Sequence, residues 1–257
     1  MVQNHLLQLL CLAAMEPPAH LEPGAVRNEK LKVLTCLRRM DDHMVREDVV
    51  IGQYAAGAVN GEPVPGYCAE EGAGTRSDTE TFVAVKTWVD NWRWAGVPFF
   101  LRTGKRLGHR YSEIVVEFKP VSHSIFGTRL PTGTTNRLII RLQPDETISL
   151  EMMNKEPGLD IHKPLRRVAL DLSFAEDASP EATPDAYQRL LLDVIRNNPT
   201  LFVRADEVEE AWKWVDSIQR VWEVGGKRPE PYTAGSWGPS RAIALVARDG
   251  RHWHEYP

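Results

Sequence analysis

The sequence predicts an α+β fold, built on a large, mainly antiparallel β-sheet with helices packed on one face. Two observations point to it. Apolar residues recur at helical spacing over residues 1–40 and again over 183–224. Between them, residues 80–175 hold short runs rich in Val, Ile, Thr and aromatics, separated by turn residues. Helical and strand patterns are therefore segregated along the chain. No strand–helix alternation appears that would build a dinucleotide-binding Rossmann domain.

The first helical pattern covers residues 2–15. Leu6, Leu7, Leu9, Leu10, Leu12, Ala13, Ala14 and Met15 leave almost no polar face, the pattern of a helix buried on all sides. No Lys or Arg precedes Leu6, and Glu16-Pro17-Pro18 ends the run, so a secretory signal is not indicated. The run is also far short of the ~20 apolar residues that cross a bilayer. It is expected to be a core helix without its upstream partner. A second helix follows over roughly 23–39, with Val26, Leu31, Leu34 and Leu37 on its apolar face. "NGEPVPGYCAEEGAGTRSDT" then reads as a long surface loop, which a compact domain seldom keeps without a use.

From Thr81 the period changes. Ile148, Leu150 and Met152 alternate with Thr147, Ser149 and Glu151, and Val168, Leu170, Leu172 and Phe174 alternate in the same way. Such strands have one dry and one wetter face, as in an antiparallel sheet covered on one side. Helices return at Thr183 and Pro184, an N-cap and first-turn pair. The last long helix carries Val208, Trp212, Val215, Ile218 and Trp222 at helical spacing.

The 257 residues are 42% apolar and 26% charged, an ordinary globular composition. A formal net charge of −4 gives no reason to expect nucleic acid or an anionic membrane as partner. Cys11, Cys36 and Cys68 share no C-x-x-C spacing, and reduced cytosolic thiols are expected. No metal-ligand spacing stands out.

Two features could carry chemistry. At 100° per residue, Asn4, His5 and Gln8 fall within about a third of a turn of each other, a polar arc expected to face a wet cavity. A core histidine satisfied by a backbone carbonyl gives the same pattern. In "FLRTGKRLGHRYSE", Arg102, Lys105, Arg106, His109 and Arg110 surround Gly104 and Gly108 between two strands. Glycine permits close backbone approach and clustered cations suit a phosphate, although a solvated basic turn has the same composition.

The blocks "QNHLLQLLCLAAMEPP", "ETFVAVKTWVDNWRWAGVPFFLRTGKRL", "PDAYQRLLLDVIRNNPTLFVRADEVEEAW" and "YTAGSWGP" resemble glucose-6-phosphate dehydrogenase. The resemblance runs in order from Met1 to the last residues, and is to the C-terminal, substrate-side part of that enzyme in its bacterial form. It implies one domain over residues 1–257, in a protein that oxidises C1 of glucose 6-phosphate to the lactone in the oxidative pentose phosphate pathway. NADP is the implied cofactor, with no metal, and a cytoplasmic homodimer formed through the sheet is the implied assembly. The resemblance makes His5 the general base that takes the C1 hydroxyl proton. It places Lys105 and Gln143 on the substrate and Arg110 near the sugar phosphate.

By the same comparison the acidic partner of the histidine, a His-Tyr-Leu-Gly-Lys motif and the dinucleotide-binding domain lie ahead of Met1. NADP is then held mainly by that missing part, and the resemblance names no NADP ligand in this chain. The chain is expected to be a cropped sequence or one begun at an internal methionine, and inactive alone. Arg102, Arg141 and Asp171 match a second, structural NADP site of animal members. There Ser149 and Glu151 replace a Tyr and a Lys, so that site is expected to be absent. A stand-alone, non-catalytic sugar-phosphate-binding or assembly protein remains the alternative.

Overall fold

A computed structural model describes residues 1–120, 123, 135–156, 165–173, 186–226 and 228–255. It divides into two compact units, Met1–His109 with Asp185–His252, and Arg110–Pro184 with Trp253–Pro257.

The first unit opens on a π turn, Val2–Leu6, that runs into α1 (Leu7–Ala14). Next comes α2 (Pro23–Thr35), whose first-turn proline is pre-set for helix. Asp41 caps α3 (Asp42–Asp48) by accepting the Met44 N–H at 2.8 Å. β1 (Val49–Ala55) leads to the hairpin β2 (Gly57–Val59) and β3 (Glu62–Val64), then to β4 (Phe82–Trp88) and β5 (Pro98–Gly104). The second unit carries β6 (Ser112–Glu117), β7 (Arg137–Gln143), β8 (Thr147–Lys155) and β9 (Leu165–Ser173). The chain then returns to the first unit with α4 (Ala186–Ile195), α5 (Ala205–Val224), β10 (Glu230–Thr233) and α6 (Ser240–Ala247).

Helices and antiparallel strands give the expected α+β class. The larger strands divide into two four-stranded sheets, β10-β1-β4-β5 and β6-β7-β8-β9, rather than one. Pairing is antiparallel throughout except between β1 and β10. In the first unit α3 and α6 pack on β1 and β4, while α1, α2 and α5 pack together. The core gathers Leu7, Leu10 and Cys11 of α1, Val33 and Leu34 of α2, Val49 and Ile51 of β1, and Trp214 and Ile218 of α5.

Several expectations are corrected. α1 buries one stripe, Leu7, Leu10, Cys11 and Ala14, and not its whole circumference, since Leu12 is 52% exposed. The loop expected from Asn60 onward begins inside a hairpin. Asn60 and Gly61 have φ of 53° and 83°, the left-handed pair of a two-residue turn that matches strand twist. On α5 the buried tryptophan is Trp214, whose indole N–H donates to the Arg38 carbonyl at 2.9 Å, while Trp212 faces solvent. The Thr183–Pro184 start and Phe174 lie outside the described residues.

Candidate functional site

His5 sits in the π turn, where its N–H and that of Leu6 both donate to the Met1 carbonyl, at 2.9 and 3.2 Å. Widened turns of this kind recur at functional sites. Its imidazole is exposed and has no hydrogen-bond partner among the described residues. The polar arc is split. Asn4 and His5 lie on open surface, whereas half-buried Gln8 turns inward and accepts from Lys30 Nζ at 3.0 Å. Two clefts of about 360 and 470 Å³ share Gln53, Cys68 and Pro229, and His5 lines neither.

Lys105 follows β5 in the same unit, and the π turn packs against that strand. Its backbone is held on both sides. The N–H donates to the Thr81 carbonyl at 2.8 Å, and the carbonyl accepts from the Tyr232 hydroxyl at 2.7 Å. Tyr232 is buried and also lies 3.2 Å from Thr81 Oγ1. Burial is the main cause that raises its phenol pKa, so it stays a neutral donor. The result is a fixed backbone that presents an exposed ammonium, unpartnered among the described residues.

The rest of the basic turn is spent internally. Arg102 lies over the Trp237 ring at 5.1 Å, and His109 approaches the same ring at 5.9 Å. Arg106 pairs with Glu70 at 3.0 Å, and its hydrogen bond holds the Glu70 carboxyl below the usual carboxylate range. The expected cluster of cations thus reduces to Lys105 in the first unit and Arg110 in the second. Arg110 is exposed just ahead of β6, and Gln143 pairs in register with Ser112, so both lie at one end of the β6–β7 pair. The sequence reading missed Tyr232, Thr81 and Glu70, because each acts through a contact far away in the chain.

The described residues do not fit a dinucleotide pyrophosphate. A strand–Gly-rich turn–helix does occur, Ala234–Pro239 between β10 and α6, but its glycines serve packing. A side chain on Gly238 (φ +103°) would meet the Phe82 ring at 2.3 Å, and one on Gly235 (φ +89°) would meet the Ala58 carbonyl at 1.9 Å. Of the residues that the resemblance sets against a structural NADP site, Glu151 pairs with Arg167 at 3.2 Å and Arg141 lies 3.7 Å from Glu113. Among the described residues no group of His, Cys, Asp or Glu could hold a metal ion, and no helix is long and apolar enough to cross a membrane.

An α+β domain that presents exposed polar groups on a fixed backbone, with no pyrophosphate cradle among the described residues, is the class that this fold and site define. Residues 1–254 match the family model for the glucose-6-phosphate dehydrogenase C-terminal domain, and the chain belongs to that family. It is 52% identical over 255 residues to the glucose-6-phosphate 1-dehydrogenase of Dickeya dadantii, covering 99% of this chain and 52% of that protein. It is 56% identical over 255 residues to that of Rhizobium meliloti, covering 99% of this chain and 51% of the relative. A solved glucose-6-phosphate dehydrogenase in complex with its substrate glucose-6-phosphate superposes at a TM-score of 0.85 with 33% identity, over 99% of this chain and 50% of that one. The Mycobacterium avium glucose-6-phosphate 1-dehydrogenase gives 0.79 with 35% identity, over 100% of this chain and 50% of that one. The chain spans about half the length of the curated relatives it matches.

Proposed function

We propose that this chain is the substrate-binding and dimerising part of a cytoplasmic, NADP-dependent glucose-6-phosphate dehydrogenase, an oxidoreductase of the pentose phosphate pathway. His5 takes the C1 hydroxyl proton, and a neutral imidazole near pH 7 suits that task. Lys105 and Gln143 bind the sugar, and Arg110 neutralises its phosphate. NADP accepts the hydride that leaves C1. The observation that carries this reading is selective. Within the basic turn, Arg102, Arg106 and His109 have internal partners, whereas Lys105 and Arg110, the two assigned to the substrate, are exposed and unpartnered among the described residues.

A homodimer through the second sheet is part of the proposal. Register places Leu138 beside Leu150 and Leu170, and Ile140 beside Ile148 and Leu172, as an apolar band across one face. Leu170 and Leu172 are 58% and 56% exposed, and an apolar face of this kind suits a partner surface. The test is glucose 6-phosphate binding and NADP reduction by the full-length protein carrying this chain, with Lys105→Ala alongside. Turnover that falls, with a raised KM, in Lys105→Ala supports the assignment. Sugar-phosphate binding without any NADP reduction supports a non-catalytic binder instead.

A further inference from the structure

Next to the segment that carries His5 lies a buried charge pair that the proposed chemistry does not use. Lys30 of α2 is 4% exposed and Glu207 of α5 is 0% exposed. Lys30 Nζ stands 3.3 Å from one carboxylate oxygen of Glu207 and 3.4 Å from the other. The carboxylate is itself held in place, since it accepts the Arg204 N–H at 2.8 Å in the first turn of α5. The ammonium then donates to Gln8 Oε1 at 3.0 Å. Gln8 Nε2 is buried with no partner, so Lys30 is the one anchor of that side chain among the described residues. Neighbouring Cys11 does not compete for the ammonium, because burial pushes its thiol up to about 12 and keeps it neutral.

A buried ion pair is weak evidence for stability, since apolar residues of similar volume often do as well. α1 already has an apolar stripe to bury. Such a stripe resists removal from the core, but hydrophobic contact is non-directional and does not by itself set the rotation of the helix about its axis. A hydrogen bond to a fixed partner is directional and does. Gln8 lies three residues beyond His5, in the first turn of α1, which continues directly from the π turn that carries His5. We propose that Glu207, Lys30 and Gln8 form a positioning relay that fixes the rotation of α1 and with it the imidazole of His5. The proposal rests on the reading of His5 as the base. With side chains reaching about 5–6 Å from the axis, a rotation of ~10° moves the imidazole by about 1 Å, and a misplacement of that size can cost about 100-fold in rate.

The test is made in the full-length protein carrying this chain, with Gln8→Leu, which keeps volume and removes the acceptor, and Gln8→Glu, which keeps the acceptor. The relay predicts that Gln8→Leu lowers kcat by about 10- to 100-fold with KM for glucose 6-phosphate unchanged. It also predicts an imidazole displaced by about 1 Å in the crystal structure, and recovery of most of the rate in Gln8→Glu. A Lys30→Met/Glu207→Gln double variant, which leaves no charge unpaired, must reproduce the Gln8→Leu phenotype if that variant fails to fold. Unchanged kcat with the imidazole in place overturns the relay, and so does a loss of kcat, KM and thermal stability together with the imidazole unmoved. If the parent itself fails to reduce NADP, the proposed function falls, and the imidazole displacement alone decides the relay.

Discussion

Replacing Lys30 by methionine is a sharp perturbation of the first unit. It fills the same volume but leaves the Glu207 carboxylate fully buried without its counter-ion. Removing one partner of a buried pair costs about 3–5 kcal/mol, because the remaining charge keeps its desolvation penalty. For a chain of this size 1 kcal/mol shifts Tm by about 2–4 °C, so Lys30→Met is expected to melt about 10 °C below the parent. The Lys30→Met/Glu207→Gln double variant removes the charge while keeping an oxygen to accept the Arg204 N–H. It is expected to recover more than half of that loss. Thermal melts followed by circular dichroism decide the matter. A single variant that melts within about 2 °C of the parent, or no lower than the double, refutes the reasoning.

Other expectations follow from the same geometry. Arg38 donates three hydrogen bonds to Asp90 and holds its carboxyl below the usual range. A depressed folded pKa gives stability that is present above the unfolded value of about 4 and lost as pH falls through the folded one. The pair is exposed, so Asp90→Asn should cost at most ~1 kcal/mol at pH 7, a cost that shrinks as pH falls below about 4, measured by urea unfolding. Leu170→Asp/Leu172→Asp should convert a dimer to monomer in sedimentation equilibrium with the melting temperature of the first unit unchanged, and a persistent dimer counts against the sheet interface. Lys105→Ala should raise KM for glucose 6-phosphate by about 10-fold or more, as loss of a charge-assisted hydrogen bond predicts; an unchanged KM removes Lys105 from the site.

Much of this was legible in the residues, and what was not has physical causes. Alternation marked β8 and β9 because the second sheet keeps distinct faces. β1 carries no alternation to read, because Val49, Val50, Ile51 and Gly52 are buried in succession between β4 and β10. The Asn60-Gly61 turn was a strong hairpin signal, obscured by the Gly- and Pro-rich stretch beyond it. Lys30 occupies a core position on α2 that periodicity assigns to an apolar residue, and only Glu207, remote in sequence, makes a lysine tolerable there. At the site, spacing and composition singled out His5, Lys105 and Arg110 as candidates, while their roles, and Gln143, came from the family resemblance. The backbone clasp on Lys105 by Thr81 and Tyr232 came only from the fold. Spacing alone placed four cations in one basic cluster, and it could not show that Trp237 and Glu70 engage two of them.

The central claim is that His5 is the proton acceptor of a sugar-phosphate dehydrogenase. It is tested most directly by His5→Asn in the full-length protein carrying this chain, with NADPH formation and glucose 6-phosphate affinity measured on the same preparation. Loss of a general base costs about 10²- to 10⁴-fold, so the account predicts a fall of that size in kcat with the substrate Kd unchanged. Full turnover in His5→Asn would contradict it.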